Sequence, residues 1–182
     1  MKIPSKISIA VMAVFFGLLG FLPDLRETLA FDAGSITSLW GWATCHWVHW
    51  NVSHLIWSGG TFLVLLAIWP KDEWGRFVLC CMVAMAGIPL GLWLLSGSPE
   101  AYAGLSGVDS GLFVTLVLLW IRERLRESDR LSAGIGWTLL LGFVFKIGFE
   151  AITGLTLFAT PNLDYSAVPV AHLMGGLAGL IA

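Results

Sequence analysis

Charge is what this chain has least of. Lys, Arg, Asp and Glu make up 12% of its 182 residues, against about 25% in soluble domains, so water is not the main solvent its surface is built for. The formal net charge of −2 lacks the basic excess that a nucleic-acid partner calls for. Cysteine is scarce too. Cys45, Cys80 and Cys81 are an odd count with two neighbours on one apolar segment, which excludes a disulfide framework and leaves them as small packing residues. No small-x-small cleavage site follows the first apolar run, which ends at Phe21-Leu22-Pro23, so that run is expected to stay as a span and not to leave as a signal peptide.

What the chain has in quantity is apolar length. Its residues are 57% hydrophobic with a mean hydropathy of +0.84, gathered into long runs between short polar stretches. A bilayer core about 30 Å thick is crossed by about 20 helical residues. The runs therefore imply an all-α membrane protein, one domain over residues 1–182, with six spans at about 7–22, 51–69, 77–95, 105–121, 132–152 and 167–182. The last is short and is expected in a thinned region of the bilayer. Between the first two spans runs a long connection, about 23–45, with Asp24, Arg26, Glu27 and Asp32. Trp40, Trp42, Trp47 and Trp50 crowd its end, and tryptophan belongs at the headgroup level, so this loop is expected on the membrane surface.

Six spans put alternate loops on opposite sides. One set holds Lys2, Lys6, Lys71, Arg76 and Arg122, Arg124, Arg126 and Arg130; the other holds Arg26 alone. The positive-inside rule then places both termini in the cytoplasm. The second, fourth and sixth spans run from outside to inside. Ser106 falls at the outer end of the fourth, His49 and His54 at the outer end of the second, and His172 about 5 residues into the sixth, or about 8 Å at 1.5 Å per residue. One serine and three histidines thus share the outer third of the bilayer.

A serine hydroxyl becomes a nucleophile when a base takes its proton, and histidine titrates in the right range. In Gly104-Leu105-Ser106-Gly107 the flanking glycines let backbone approach a substrate and expose an amide to a developing oxyanion. Gly107 and Gly111 continue down one helix; Gly175, Gly176 and Gly179 continue from His172. Small residues at this spacing let membrane helices touch, which permits a Ser106–His172 hydrogen bond. Glycine–serine patterns also serve packing alone, whereas an intramembrane histidine is costly and points to function. His46, beside Cys45, reads most simply as interfacial. Lys146 and Glu150 are four apart on one helical face, which suits a mutual structural pair, with a substrate contact by Glu150 as the alternative.

Taken together, Gly104-Leu105-Ser106-Gly107, His49-x4-His54 and Ala171-His172-x2-Gly175-x3-Gly179 resemble a rhomboid intramembrane serine protease over nearly the whole chain. In finer detail His46-Trp47-Val48-His49-Trp50-Asn51-Val52-Ser53-His54-Leu55-Ile56-Trp57, Lys146 with Glu150, and the small size resemble the rhombosortase branch. The resemblance implies Ser106 as nucleophile, His172 as general base, His54 with the Ser106 amide as oxyanion donors, and His49 in support. It implies no metal and no organic cofactor. Where many rhomboids carry an asparagine four residues after the second paired histidine, Ser58 stands here, a shorter donor. Asp109 is a second departure: it can orient His172, bind substrate, or make a polar contact to a neighbouring helix or water.

The resulting expectation is a serine endopeptidase cutting a single-span membrane protein near the outer surface. On the rhombosortase resemblance the substrate is a secreted protein with a C-terminal Gly-Gly motif, a span and a basic tail, and the enzyme sits in a bacterial inner membrane with its site facing the periplasm. A non-catalytic relative that binds or sorts membrane clients is the first rival. A haem or metal protein built on the four histidines is the second, opposed by the spacing of His49 and His54, which does not stack them at i,i+4.

Overall fold

The computed structural model describes residues 22–32, 34, 39–95, 101–155, 157 and 168–182, with Ser8, Val11, Phe15 and Leu18 of the first apolar run. Most of the expected first span, the turn 96–100 and the loop 158–167 lie outside the described residues. The chain is mostly helical. In order come α1 (Pro23–Leu29), β1 (Phe31–Asp32), α2 (Leu39–Thr44), α3 (Val52–Ile68), a 3-10 turn (Lys71–Glu73), α4 (Trp74–Leu95), β2 (Ala101–Tyr102), α5 (Ser106–Arg126), α6 (Arg130–Thr153) and α7 (Pro169–Ile181). Two helical stretches, Lys71–Leu95 and Arg130–Thr153, are long and apolar enough to cross a membrane, and Val52–Ile68 and Pro169–Ile181 are shorter apolar helices.

Local chemistry sets the helix ends. Asn51 caps α3, its side chain accepting from the His54 amide at 2.8 Å, and Pro70 follows the last turn where an N–H is no longer available. Asp129 caps α6 by accepting from Ser132 N at 3.1 Å; Gly154 ends it with φ +70°, the left-handed conformation glycine adopts without penalty. Helix α5 continues to Arg126 instead of stopping at 121. Arginine, leucine and glutamate are good helix formers, so the charged stretch leaves the apolar region without leaving the helix.

Helix α5 is the centre, touching α3, α4, α6 and α7. Its seam with α7 is backbone against backbone. A Cβ on Gly175 would lie 1.8 Å from the Gly107 carbonyl oxygen, one on Gly179 2.4 Å from that of Gly111, and one on Gly111 2.7 Å from that of Gly175. Thr115 Oγ1 lies 3.0 Å from the Gly111 carbonyl and 3.1 Å from that of Gly179, a hydrogen bond shared across the seam. Gly176 turns away from this seam toward the Phe143 ring of α6. On the other flank Met174 fills the groove left by Gly91 of α4. Helix α6 leaves Leu131, Leu141, Val144 and Phe145 exposed, an apolar outer face of the kind lipid covers.

The loop before α3 is locked into the bundle by a side chain expected at the interface. His46 is fully buried, and its Nε2 lies 3.1 Å from the Met85 carbonyl of α4. That carbonyl belongs to the residue four before Pro89, which sits inside α4 and has no N–H to return. His46 supplies the missing donor, an economy of buried polar groups that residue spacing alone does not reveal. His46 also meets Tyr102 edge-on at 6.0 Å.

Two outcomes test this packing. Gly175→Val should lower stability by about 3 kcal/mol or more through overpacking, whereas Gly134→Ala, with open space around it, should be neutral or stabilising; equilibrium unfolding in detergent measures both. Burial pushes His46 down to about 4 and His49 down to about 3, both below the ordinary value near 6.5. Each therefore takes up a proton on unfolding once the pH falls below about 6.5, so stability is full above that value and is lost toward pH 4 and below, with a slope approaching about 1.4 kcal/mol per pH unit for each proton. Unfolding midpoints flat from pH 6 to 4 would contradict this.

Candidate active site

Ser106 is the first residue of α5, with Leu105 as its N-cap and no side-chain cap. The first amides of a helix have no acceptor within it, and together with the helix dipole they favour negative charge at that end. The approach to this point is held from several directions. Strands β1 and β2 pair antiparallel, Phe31 opposite Tyr102; Gly104 N donates to the Cys45 carbonyl at 2.8 Å; and the Tyr102 hydroxyl donates to the Gly104 carbonyl at 2.8 Å. Burial raises the Tyr102 phenol far above its usual range. Ser106 itself is half-buried, so the hydroxyl is anchored at an opening.

Gly104 explains how His54 reaches the same opening. Its φ is +125°, which glycine alone adopts readily, and a Cβ there would lie 2.6 Å from Cε1 and 2.8 Å from Nε2 of His54. The imidazole edge occupies the space a side chain would take. Trp50 N donates to His54 Nδ1 at 3.5 Å, a long contact that favours the tautomer with hydrogen on Nε2. His49, fully buried, packs its ring edge-on to His54 at 5.1 Å, because it precedes the helix cap and folds back over the first turn. This contact is consistent with a supporting position.

Across the seam, Gly107 of α5 and Ala171 of α7 meet directly: a Cβ on Gly107 would lie 2.9 Å from the Ala171 carbonyl oxygen. Their chain neighbours Ser106 and His172 therefore flank one contact. His172 is also close enough to His54 to interact electrostatically. Among the described residues Ser106 and His172 share no hydrogen bond; catalytic contacts commonly tighten only when substrate is bound. Nδ1 of His172 is instead 2.8 Å from Glu150 Oε2 and 3.1 Å from Lys146 Nζ, and that ammonium is 2.8 Å from the same oxygen. The Lys146–Glu150 pair expected from their spacing is present, but it has a third member. The signal available was a lone ion pair in an apolar helix; the rotation of α6 that aims it at His172 left no mark in the spacing.

Asp109 is buried and does not reach His172. It accepts from Ser58 Oγ at 3.4 Å, the polar contact to a neighbouring helix foreseen as one of its alternatives. Ser58 is thus beside the site, on the helix of His54, but its single proton points at Asp109. Tyr102 went unnoticed in the sequence, where nothing separates it from an interfacial tyrosine. Among the described residues no group of His, Cys, Asp or Glu is arranged to hold a metal.

A family model described as "Rhomboid domain" matches residues 37–182, which takes in Ser106, His172, His54, His49, Lys146, Glu150, Ser58 and Asp109. No curated protein matches the chain.

The double role of Gly104 gives a test that needs no substrate. Gly104→Ala should destabilise through both its positive φ, by about 1–2 kcal/mol, and its collision with His54. Replacing His54 by glycine should remove the steric part and leave the backbone part. Additive effects of the two substitutions in unfolding measurements would show that they do not meet.

Proposed function

The chain belongs to the rhomboid family, whose members are integral-membrane serine proteases, and on that premise we propose that it is an intramembrane endopeptidase using Ser106 as nucleophile and His172 as base. The observation that carries this is the Gly107–Ala171 backbone contact, which sets a helix-initiating serine beside a histidine across a glycine seam. In the proposed reaction His172 Nε2 takes the Ser106 proton as Oγ attacks the scissile carbonyl. The amides at the start of α5 and the Nε2–H of His54 receive the oxyanion. The proton passes to the leaving amine, the peptide bond breaks, and water, activated by the same histidine, releases the acyl group from Ser106.

The membrane arrangement belongs to the same reading: six spans, both termini cytoplasmic, and the reaction near the outer surface. Arg76 and Arg122 both pair with Glu73 at the end of the bundle far from Ser106, and such a basic end suits the cytoplasmic side. The rhombosortase-like pattern of residues 46–57 with Lys146 and Glu150 suggests the substrate: a single-span secreted protein with a Gly-Gly motif before its span and a basic tail, met in a bacterial inner membrane. Gly-Gly at the cleaved bond suits a narrow approach to a helix N-terminus, since it adds no side chain to be accommodated.

Co-expression with a reporter bearing such a tail should yield a cleaved product, and Ser106→Ala or His172→Ala should each lower the rate by about 10³-fold or more in a protein that still folds. Fluorophosphonate labelling of the intact protein should be lost in Ser106→Ala. Undiminished cleavage in either variant would refute the mechanism; absence of labelling in the folded protein would favour a non-catalytic client-binding relative.

A further inference from the structure

Two groups from two helices converge on one carboxylate oxygen. Glu150 Oε2 is 2.8 Å from Lys146 Nζ and 2.8 Å from His172 Nδ1, and Glu150 is 2% exposed. Its other oxygen accepts from Leu157 N at 3.4 Å. An ion pair that served α6 alone would be complete with lysine and glutamate four residues apart; here the carboxylate also reaches across to α7. The contacts of Nδ1 are mutually exclusive as hydrogen bonds. An ammonium only donates and a carboxylate only accepts, so Nδ1 either receives from Lys146 at 3.1 Å or gives to Glu150 at 2.8 Å. Donation is the better choice, because a bare Nδ1 lone pair facing a carboxylate oxygen at that distance is repulsive, and the charge-assisted bond is the stronger one.

We propose that Glu150 is the positioning residue of His172: it accepts the Nδ1 hydrogen, fixes the ring, and leaves the Nε2 lone pair for Ser106, while Lys146 clamps the same carboxylate oxygen. The proposal rests on the reading of His172 as base, and it extends a Ser–His dyad to a relay of orientation with four members. No proton moves to Glu150 in this scheme; the carboxylate stays an acceptor throughout, and the imidazolium formed during attack is stabilised next to it. Lys146, being positive and within 3.1 Å of Nδ1, opposes that imidazolium, so its contribution is geometric: it prevents Glu150 from turning away. The groups facing the ring are Glu150 and Lys146 from α6 and His54 from α3.

The test is Glu150→Gln in the full-length protein, because a glutamine amide can donate to Nδ1 and so select the wrong tautomer. Histidine-selective 15N spectra should show His172 with hydrogen on Nδ1 in the native protein and on Nε2 in the variant. Cleavage of the Gly-Gly-tailed reporter should fall in kcat by about 10²–10⁴-fold at little changed KM and unfolding midpoint, and Glu150→Asp should recover part of it. A native His172 with hydrogen on Nε2, or a Glu150→Gln variant with undiminished kcat, would overturn the proposal. If Glu150→Gln does not fold, Lys146→Met reads the same clamp: broadened or mixed His172 tautomer signals support it, and a sharp Nδ1–H signal unchanged from the native protein overturns it. The spectra need no activity, so a Ser106→Ala variant that still cleaves would refute the proteolytic mechanism while leaving the tautomer result to decide Glu150 by itself.

Discussion

Everything at the site depends on two helices touching through their backbones. With Gly107, Gly111, Gly175 and Gly179 as the contact residues, α5 and α7 approach more closely than any side chain allows. In a bilayer this closeness has no hydrophobic drive behind it, since lipid is as apolar as leucine; it rests on van der Waals contact and on bonds such as that of Thr115 to two carbonyls. The consequence is positional. A serine one residue before the seam and a histidine one residue after its first contact become neighbours because the main chains already are. The remaining parts bring other groups to that point: β1 and the Cys45 carbonyl hold the segment before Ser106, and the absent side chain of Gly104 admits His54.

Much of this is legible in the residues themselves, for a specific reason. Glycine at every fourth position is a one-dimensional record of a three-dimensional contact, because helical spacing maps directly onto a face. The Gly107/Gly111 and Gly175/Gly179 pairs can therefore be matched from the residues alone. The rotation of α6 has no such record. Its glycines at 134, 142 and 148 meet open space, so nothing in their spacing shows which face turns inward, and Glu150 reads as the partner of Lys146, or as a substrate contact, with no sign of His172. The loop histidine His46 was misplaced for a related reason. Its partner is a carbonyl freed by Pro89, and a vacancy in a backbone ladder is visible only when the loop and α4 are seen together.

The buried charges set a second constraint. Lys146 and Glu150 in an apolar helix would each be costly alone, and as a pair they commonly do no better than break even against apolar residues of the same size. Their presence makes more sense as orientation than as stability. A carboxylate held by an ammonium and by a histidine has one available geometry, and a base that must present one nitrogen to a serine benefits from that restriction. Packing serves the same end at His54, where the backbone of Gly104 on one side and the ring of His49 on another leave the imidazole little room to turn.

That restriction bears on the oxyanion hole, where Ser58 replaces the amide side chain expected from the family resemblance. An asparagine there would extend a donor toward the substrate. Ser58 has one proton and gives it to Asp109 across the α3–α5 interface, and the other oxygen of Asp109 has no partner among the described residues. A hydroxyl turned inward to a buried carboxyl cannot at the same time face an oxyanion, so in the proposed mechanism the charge developing on a substrate would fall to His54 and the first amides of α5. Those amides come from the main chain and cannot be lost by side-chain substitution. The burden that a third donor would carry, about a hundredfold in rate, then rests on how firmly His54 and His172 are aimed. In the proposed mechanism Gly104 and Glu150 would answer to that need in different ways: the missing side chain of one leaves room for the His54 ring, and the carboxylate of the other would fix the tautomer of His172.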